Sequence, residues 1–400
     1  MPNHNIYRQS FSVAFDYPVV FTRDVFGSNF PVLLETVISD DGQSVSRFLI
    51  FIDSEVHRLH PGLVNRIQSS FDRHADRLEL VKPPHVLQGG EAIKNDYRMT
   101  MEIVDTILEY KLCRHSYVAV VGGGAVLDAV GFAASIVHRG LRTVRLPTTV
   151  LSQNDGGVGV KNGMNLHGGK NIVGTFHPPH AVINDMDFLS TLPDREWIAG
   201  VAEAYKVALI KDEKFFRFLC AHARGLNNRD NRAMELLVRR CADLHMEHIR
   251  SSGDPFETGR SRPLDFGHWA AHKLESMSNY RIGHGEAVAS GLALDSLYAV
   301  EMGWLEEKDA HALLKGLQDT GFMLWHEEMG RRLGDGTLEI LGGLDDFREH
   351  LGGELCVTFP LGVGQKHETQ HIDRKTVEKA VTELSDISRG ELRRARQVMP

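Results

Sequence analysis

Cysteine is scarce in this chain: four in 400 residues, at Cys113, Cys220, Cys241 and Cys356, with no CxxC spacing. That excludes a disulfide-stapled scaffold and points to reduced thiols in a cytoplasmic protein. Long apolar runs are missing as well. No window approaches roughly 18 uncharged apolar residues, so no membrane-spanning helix is expected. The start, "MPNHNIYRQSFSVAFDYPVVF", lacks a basic stretch ahead of an apolar core, so no signal peptide is expected. There is no basic excess: Lys and Arg number 45 against 53 Asp and Glu, for a net charge of −8. No basic stripe interleaves with aromatics, which argues against nucleic acid as a partner. Internal repeats and long low-complexity segments are absent too. Histidine, by contrast, is plentiful at 21 residues, so a pair of histidines means little until spacing and context support it.

The length suggests two or three domains. "RFLIFIDSEV" (47–56) reads as a buried strand ending at an acid. "YVAVVGGGAVLDAVGFAASIVHRG" (117–140) reads as strand, glycine turn and helix. "RTVRLPTTV" (142–150) and "AVINDMDFL" (181–189) read as two further strands. Strands alternating with helical stretches indicate a parallel, Rossmann-like α/β sheet. After Asp194, read as a helix N-cap, the pattern turns mostly helical. The expected division is an α/β domain over residues 1–195, with 1–30 as an N-terminal extension, and an all-α domain over 196–400.

"GGGAVLD" (122–128) sits between a strand and a helix. Glycines there let a phosphate approach the backbone, and the helix start offers free N–H groups. The pattern is not GxGxxG, and a purely structural turn is the plain alternative. Three features favour a dinucleotide. Asp53 ends an earlier strand, where an acid can bind ribose. Glu91 and Lys94 precede a helix. Thr148 and Thr149 stand at the carboxyl end of a strand, where open α/β sheets bind ligands.

"DGGVGVKNGMNLHGGKN" (155–171) combines six glycines with two lysines and three asparagines. It reads as a flexible loop rich in donors, suited to an anionic polyol, although a solvated, inert loop has the same composition. "GGKNIVGTFHPP" (168–179) then presents Lys170 and Asn171, an expensive placement unless they meet a small ligand. Arg139 adds a further cation after the glycine-turn helix.

"WIAGVAEAYKVALI" (197–210) is apolar on nearly every side, so it reads as a buried helix. Glu203 and Lys206 interrupt it, and buried charges need a partner or a metal. "DFGHWAAHKLE" (265–275) places His268 and His272 at i and i+4. "RIGHGEAV" (281–288) adds His284 and Glu286. One carboxylate and two imidazoles make a catalytic zinc site, and spacing alone pairs His268 with His272. Ordinary surface or core histidines remain the alternative.

These segments resemble a known family. "GGGxxxD", "HRG", "PTTxLSQxDxxVGxKxGxN", "GKNxxGxFxPP", "FLxTLPxRE", "AEAxK" and "HGEAV" occur in the order found in 3-dehydroquinate synthase and its relatives, the sugar phosphate cyclases. The resemblance covers roughly residues 85–300. It implies an NAD-binding α/β domain, a helical metal domain, an active site between them and a homodimer. The implied zinc ligands are Glu203, His268 and His284, with cobalt an alternative metal, and His272 then faces the substrate. Implied NAD contacts are Asp53, Glu91, Lys94, Gly123, Gly124, Asp128, Thr148, Thr149, Phe188, Thr191 and Leu192. Implied substrate contacts are Asp155, Lys161, Lys170, Asn171 and Lys206, with Arg139 supplied by the partner subunit. The implied chemistry is transient oxidation of a sugar hydroxyl, phosphate elimination, reduction, ring opening and intramolecular aldol closure.

Departures from the family pattern bear on the substrate. "SRPLDFGHWAAH" carries Asp265 where dehydroquinate synthases commonly have asparagine, and Arg262 is one place out of register. A family lysine roughly twenty residues earlier has no counterpart, and His245 is the nearest candidate. Lys366, in "FPLGVGQKHE", only loosely matches a family glycine–lysine pair. An added carboxylate and displaced cations suit an uncharged-ended substrate such as sedoheptulose 7-phosphate. Asp265 together with a retained His272 resembles the 2-epi-valiolone synthases. Other readings are a 3-dehydroquinate synthase acting on 3-deoxy-arabino-heptulosonate 7-phosphate, a polyol dehydrogenase, and a non-catalytic NAD- or sugar-phosphate-binding protein.

Overall fold

The computed structural model describes residues 6–37, 45–166, 169–252, 254–257, 259, 263–350 and 352–390. Strands before residue 190 are β1 (Val19–Thr22), β2 (Ser46–Asp53), β3 (Leu78–Leu80), β4 (His85–Leu87), β5 (Tyr117–Gly122), β6 (Arg142–Pro147), β7 (Lys161–Leu166), β8 (Gly169–Phe176) and β9 (Ala181–Asp185). All but β7 and β8 join one parallel sheet in the order β1-β9-β6-β5-β2-β3, with β4 also paired to β2. In β2, Phe48, Ile50 and Ile52 face one helix layer, while Leu49 and Phe51 face the other. Both faces are apolar because both are covered. Helices Phe30–Val37 and Leu63–Asp72 close one side, and Tyr97–Glu109 and Gly124–Ile136 close the other.

The chain leaves β2 toward β3 and β4, then returns to lay β5 on the opposite side of β2. Strand order therefore reverses between β2 and β5, whose carboxyl ends carry Asp53 and Gly122. Such a reversal opens the crevice in which α/β sheets bind ligands. The segment expected to be an extension supplies an edge strand, since β1 pairs in parallel with β9.

Asp194 is the first residue of helix Asp194–Lys211, and Pro193 holds the cap position. The Asp194 carboxylate instead pairs with Arg229 at 2.6 Å, and an acid in the first turn still favours the helix. Helices dominate from here onward. The second half is helical as expected, and among the described residues it also carries an antiparallel hairpin, β10 (Val357–Pro360) and β11 (Lys366–Thr369). Helix Asp194–Lys211 is buried on almost every side, Glu203 and Lys206 included.

Helices His268–Met277 and His284–Glu301 approach very closely. A Cβ on Gly291 would lie 2.1 Å from the carbonyl oxygen of Gly267. Asp295 ties the same junction: its carboxylate accepts from Gly267 N at 3.0 Å and Trp269 Nε1 at 2.9 Å. His268 and His284 are the first residues of these two helices, so this junction sets their separation. Gly291→Ala must push the helices apart and is expected to cost about 1–3 kcal/mol of stability. Urea unfolding measures the loss, and an unchanged midpoint would contradict the close packing.

Candidate active site

The crevice end is built from backbone. Gly123 caps helix Gly124–Ile136 with no side chain, leaving the first helical N–H groups open to an anion. Gly122 is needed for space: a Cβ there would meet Val126 Cβ at 3.1 Å and Asp53 Cβ at 3.2 Å. Asp53 is buried beside this turn, and its carboxylate accepts from Glu55 N at 2.8 Å. Burial pushes its carboxyl up, while backbone N–H groups, that of Gly123 among them, pull it back. Thr148 N bonds Gly122 O at 3.0 Å, joining the ends of β5 and β6. Thr149 caps helix Val150–Asn154 through Ser152 N. Thr191 Oγ1 lies 2.9 Å from His60 Nε2, the Phe188 ring meets the His60 ring edge-on, and Leu192, next to Thr191 in sequence, is buried.

Lys94 joins the two expected binding sets. Its buried Nζ lies 2.5 Å from Asp128 Oδ2 and also bonds Asn171 Oδ1. Asn165 extends the link, donating to Glu91 Oε1 at 2.7 Å and accepting from Asn171 N at 2.9 Å. The expected flexible loop is largely an antiparallel hairpin: β7 pairs with β8, and Lys170 and Asn171 begin β8.

Arg145, fully buried in β6, shapes the approach to this hairpin. Its guanidinium donates to Gly157 O, Gly159 O, Lys161 O and Asn162 Oδ1 at 2.7–3.2 Å. The glycine-rich turn, which has few side chains to hold it, is thus fixed from beneath.

A five-residue helix, Val150–Asn154, carries the chain from the crevice to Asp155, about 8 Å along its axis. Asp155 opens onto the metal cluster. Glu203 Oε1 lies 3.2 Å from His284 Nε2 and 3.5 Å from His268 Nε2. One ligand atom from each of the three falls within 4.8 Å of the others. Lys206 Nζ sits 2.5 Å from Glu203 Oε2, yet neither carboxylate oxygen has a well-aligned hydrogen-bond donor. A fully buried carboxylate left so, facing two imidazoles, fits a divalent cation.

The surroundings favour positive charge. Burial alone would lower the His284 imidazole, but Glu275 and Glu203 push it up to about 10. Burial would likewise lower Lys206; Glu203, Asp155 and Asp265 raise it, so the ammonium persists. Asp155 also pairs with His245 at 2.8 Å. His272 opens to the cleft, its ring 5.3 Å from that of His268 and 6.0 Å from that of His284. Loss of surrounding water and those two rings hold its imidazole well below the usual range, hence neutral.

Glu275 is the functional residue that sequence reasoning passed over. Its Oε2 lies 3.3 Å from His284 Nδ1, and its Oε1 takes Lys170 Nζ at 2.6 Å. It therefore ties one imidazole of the cluster to the Lys170 ammonium. Seven residues after His268, it shares that ligand's helix face, which is the signal that could have found it. Glu286, by contrast, caps its own helix at Gly283 N and pairs with Arg195.

Other expected residues lie farther out. Lys161 pairs with Glu257, which also lies 3.8 Å from His248. Arg139 is exposed at the far end of helix Gly124–Ile136, about 20 Å from the glycine turn. Lys366 pairs with Glu368, and its charge acts on Lys211, about 12 Å along the helix from Glu203. Arg262 lies outside the described residues.

Fold and site together define a two-part protein in which a dinucleotide-type crevice adjoins a carboxylate–imidazole metal cluster. Residues 84–199 match the 3-dehydroquinate synthase N-terminal domain, and residues 200–334 match its C-terminal domain. The 3-dehydroquinate synthase of a Sulfurovum species is 33% identical over 324 residues, 78% of this chain and 85% of that enzyme. That of a Nitratiruptor species is 40% identical over 58% of this chain, and the match spans 65% of the relative's length. The structure of 2-epi-5-epi-valiolone synthase from Streptomyces hygroscopicus subsp. jinggangensis 5008, with NAD+ and Zn2+ bound, superposes with a TM-score of 0.83 and 28% identity. That superposition covers 95% of this chain and 99% of the other. The chain belongs to the 3-dehydroquinate synthase family of sugar phosphate cyclases.

Proposed function

We propose that this chain is an NAD- and metal-dependent cyclase that converts sedoheptulose 7-phosphate to a C7 cyclitol, 2-epi-valiolone or an epimer, with loss of phosphate. It would work as a cytoplasmic homodimer in which Arg139 serves the partner's site. One observation carries the substrate assignment: Asp265 adds its charge to those of Asp155 and Glu203 around the buried ammonium of Lys206. A substrate carboxylate is unfavourable beside so much negative charge, whereas a neutral polyol end is not.

When bound, NAD+ supplies reversible hydride acceptance and Zn2+ or Co2+ supplies Lewis acidity. Glu203, His268 and His284 would hold the metal. Gly123, Gly124, Asp53 and the threonines would hold the dinucleotide. Lys170, Asn171 and Lys161 offer donors to the phosphate, and Asp128 and Lys94 fix Asn171 in place. Lys206 keeps its proton at Nζ and can donate to a substrate oxygen. Neutral His272 faces the cleft, where it can exchange a hydrogen bond with a substrate hydroxyl. Closure of the crevice around these groups would exclude water from the reacting carbons.

The second reading is a 3-dehydroquinate synthase, favoured by the names of its sequence relatives. The two separate on substrate. With NAD+ and Zn2+, the enzyme is expected to release phosphate from sedoheptulose 7-phosphate at least about 100-fold faster than from the heptulosonate, an advantage of about 2.7 kcal/mol. Preference for the carboxylate substrate would establish the dehydroquinate reading instead.

A further inference from the structure

Residues 6–18 run as an extended arm into β1 without joining a sheet. Their sequence is nevertheless patterned as a strand. Tyr7, Phe11, Val13 and Phe15, with Gln9 among them, share one side of a two-residue period, and Arg8, Ser10, Ser12 and Asp16, with Ile6 and Ala14, share the other. Tyr7 and Phe11 are 85% and 87% exposed, and Val13 and Phe15 are more than half exposed. The arm is anchored where it meets the body. Tyr17 Oη donates to Val158 O at 2.9 Å, and the Phe15 ring meets Phe256, which stacks on Phe176 at 5.0 Å.

Phe176 ends β8, and Ile172 on the same strand is also exposed. Arm and hairpin thus meet through Phe15, Phe256 and Phe176, and each leaves apolar side chains exposed. At about 150 Å² for each large side chain, Tyr7, Phe11, Val13, Phe15, Ile172 and Phe176 together present roughly 600–900 Å². That exceeds the largest apolar patch of a typical monomer, ~300–600 Å², and matches the ~800 Å² that each partner buries in a standard interface.

The charge and the position of this face select its occupant. Residues 6–17 carry one arginine and one aspartate, so nothing draws the arm to an anionic lipid surface. The face also adjoins Arg139. Its neighbour Gly140 packs on the ring of His177, which directly follows Phe176. A two-fold contact sets the same patch of each copy against the other, and so carries each Arg139 toward its partner. We infer that a second copy of this chain covers this face, with the arm of each protomer lying on the β7–β8 hairpin of the other. The inference rests on the homodimer reading above and gives that dimer its interface.

Sedimentation equilibrium on the full chain tests it. Tyr7→Asp/Phe11→Asp alters two side chains that face solvent within the protomer, and Ile172→Asp alters the hairpin side. The wild type is expected to be dimeric, with the dissociation constant raised at least about 100-fold in both variants, given that buried aromatic anchors dominate interfaces. Circular dichroism should show the fold unchanged. Dimers of equal strength in all three proteins would overturn the interface and leave the homodimer standing. A wild type that stays monomeric at every concentration would overturn both. Arm-dependent binding of a monomer to phosphatidylcholine–phosphatidylserine vesicles would name a lipid surface as the occupant and overturn the inference as well.

Discussion

Glu203→Gln is expected to abolish turnover while leaving NAD+ binding nearly unchanged. The carboxylate lies at the meeting point of His268, His284 and Lys206, and it is the only one of the three ligand residues that carries negative charge into the cluster. An amide cannot balance a divalent cation there, and it leaves the Lys206 ammonium buried without its nearest counter-charge. Loss of one preorganised electrostatic group commonly costs about 100- to 1,000-fold in rate, and loss of the metal should exceed that. A stability loss of about 3–5 kcal/mol should accompany it, because a buried ion pair has lost one member. Dinucleotide titration, zinc content and phosphate release distinguish these effects. The dinucleotide contacts stand on other elements, beyond helix Val150–Asn154, so NAD+ affinity should hold. Full activity in this variant would remove Glu203 from the metal site.

Glu275→Gln has the second largest expected effect. Burial would push this carboxyl up, yet His284, Lys170 and His272 hold it down to about 2, so it is fully ionised at neutral pH. Its charge supports the His284 imidazole from the Nδ1 side and holds Lys170 from the other oxygen. Partners of this kind contribute about 10- to 100-fold to metal affinity. The variant should bind Zn2+ that much more weakly in competition with a chelator. Substrate KM should rise as well, because Lys170 loses its anchor. Unchanged zinc affinity together with unchanged KM would show that Glu275 serves packing alone.

Sequence and structure agree most closely where apolar pattern and chain geometry coincide. The strands β2, β5, β6 and β9 were legible because their apolar runs are bounded by glycine, proline or acid. The β7–β8 hairpin was hidden: its strands are mostly glycine, asparagine and lysine, and their few apolar residues, among them Met164 and Val173 on the inner side, are too widely spaced to read as a strand. Four-residue β1, next to Pro18, gave too short a run to register.

Within the site, a carboxylate and a lysine inside an otherwise apolar helix marked Glu203 and Lys206 on physical grounds alone. Spacing then favoured His268 with His272, whereas family resemblance pointed to His284. The structure brings all three imidazoles together, because His268 and His284 open two helices that meet at Gly267 and Gly291. A junction of that kind leaves no period in the sequence. Glu275 was missed for the opposite reason, since a glutamate near a helix end looks like ordinary solvent-facing charge. Arg139, legible as a cation, is carried by its helix away from the glycine turn.

The central claim is that a sugar hydroxyl is oxidised and restored within one turnover while phosphate leaves. The most direct measurement follows inorganic phosphate and NADH absorbance in the same reaction, with sedoheptulose 7-phosphate, NAD+ and Zn2+ supplied. The account predicts steady phosphate release with no net NADH. Accumulating NADH without phosphate would contradict it and identify a dehydrogenase.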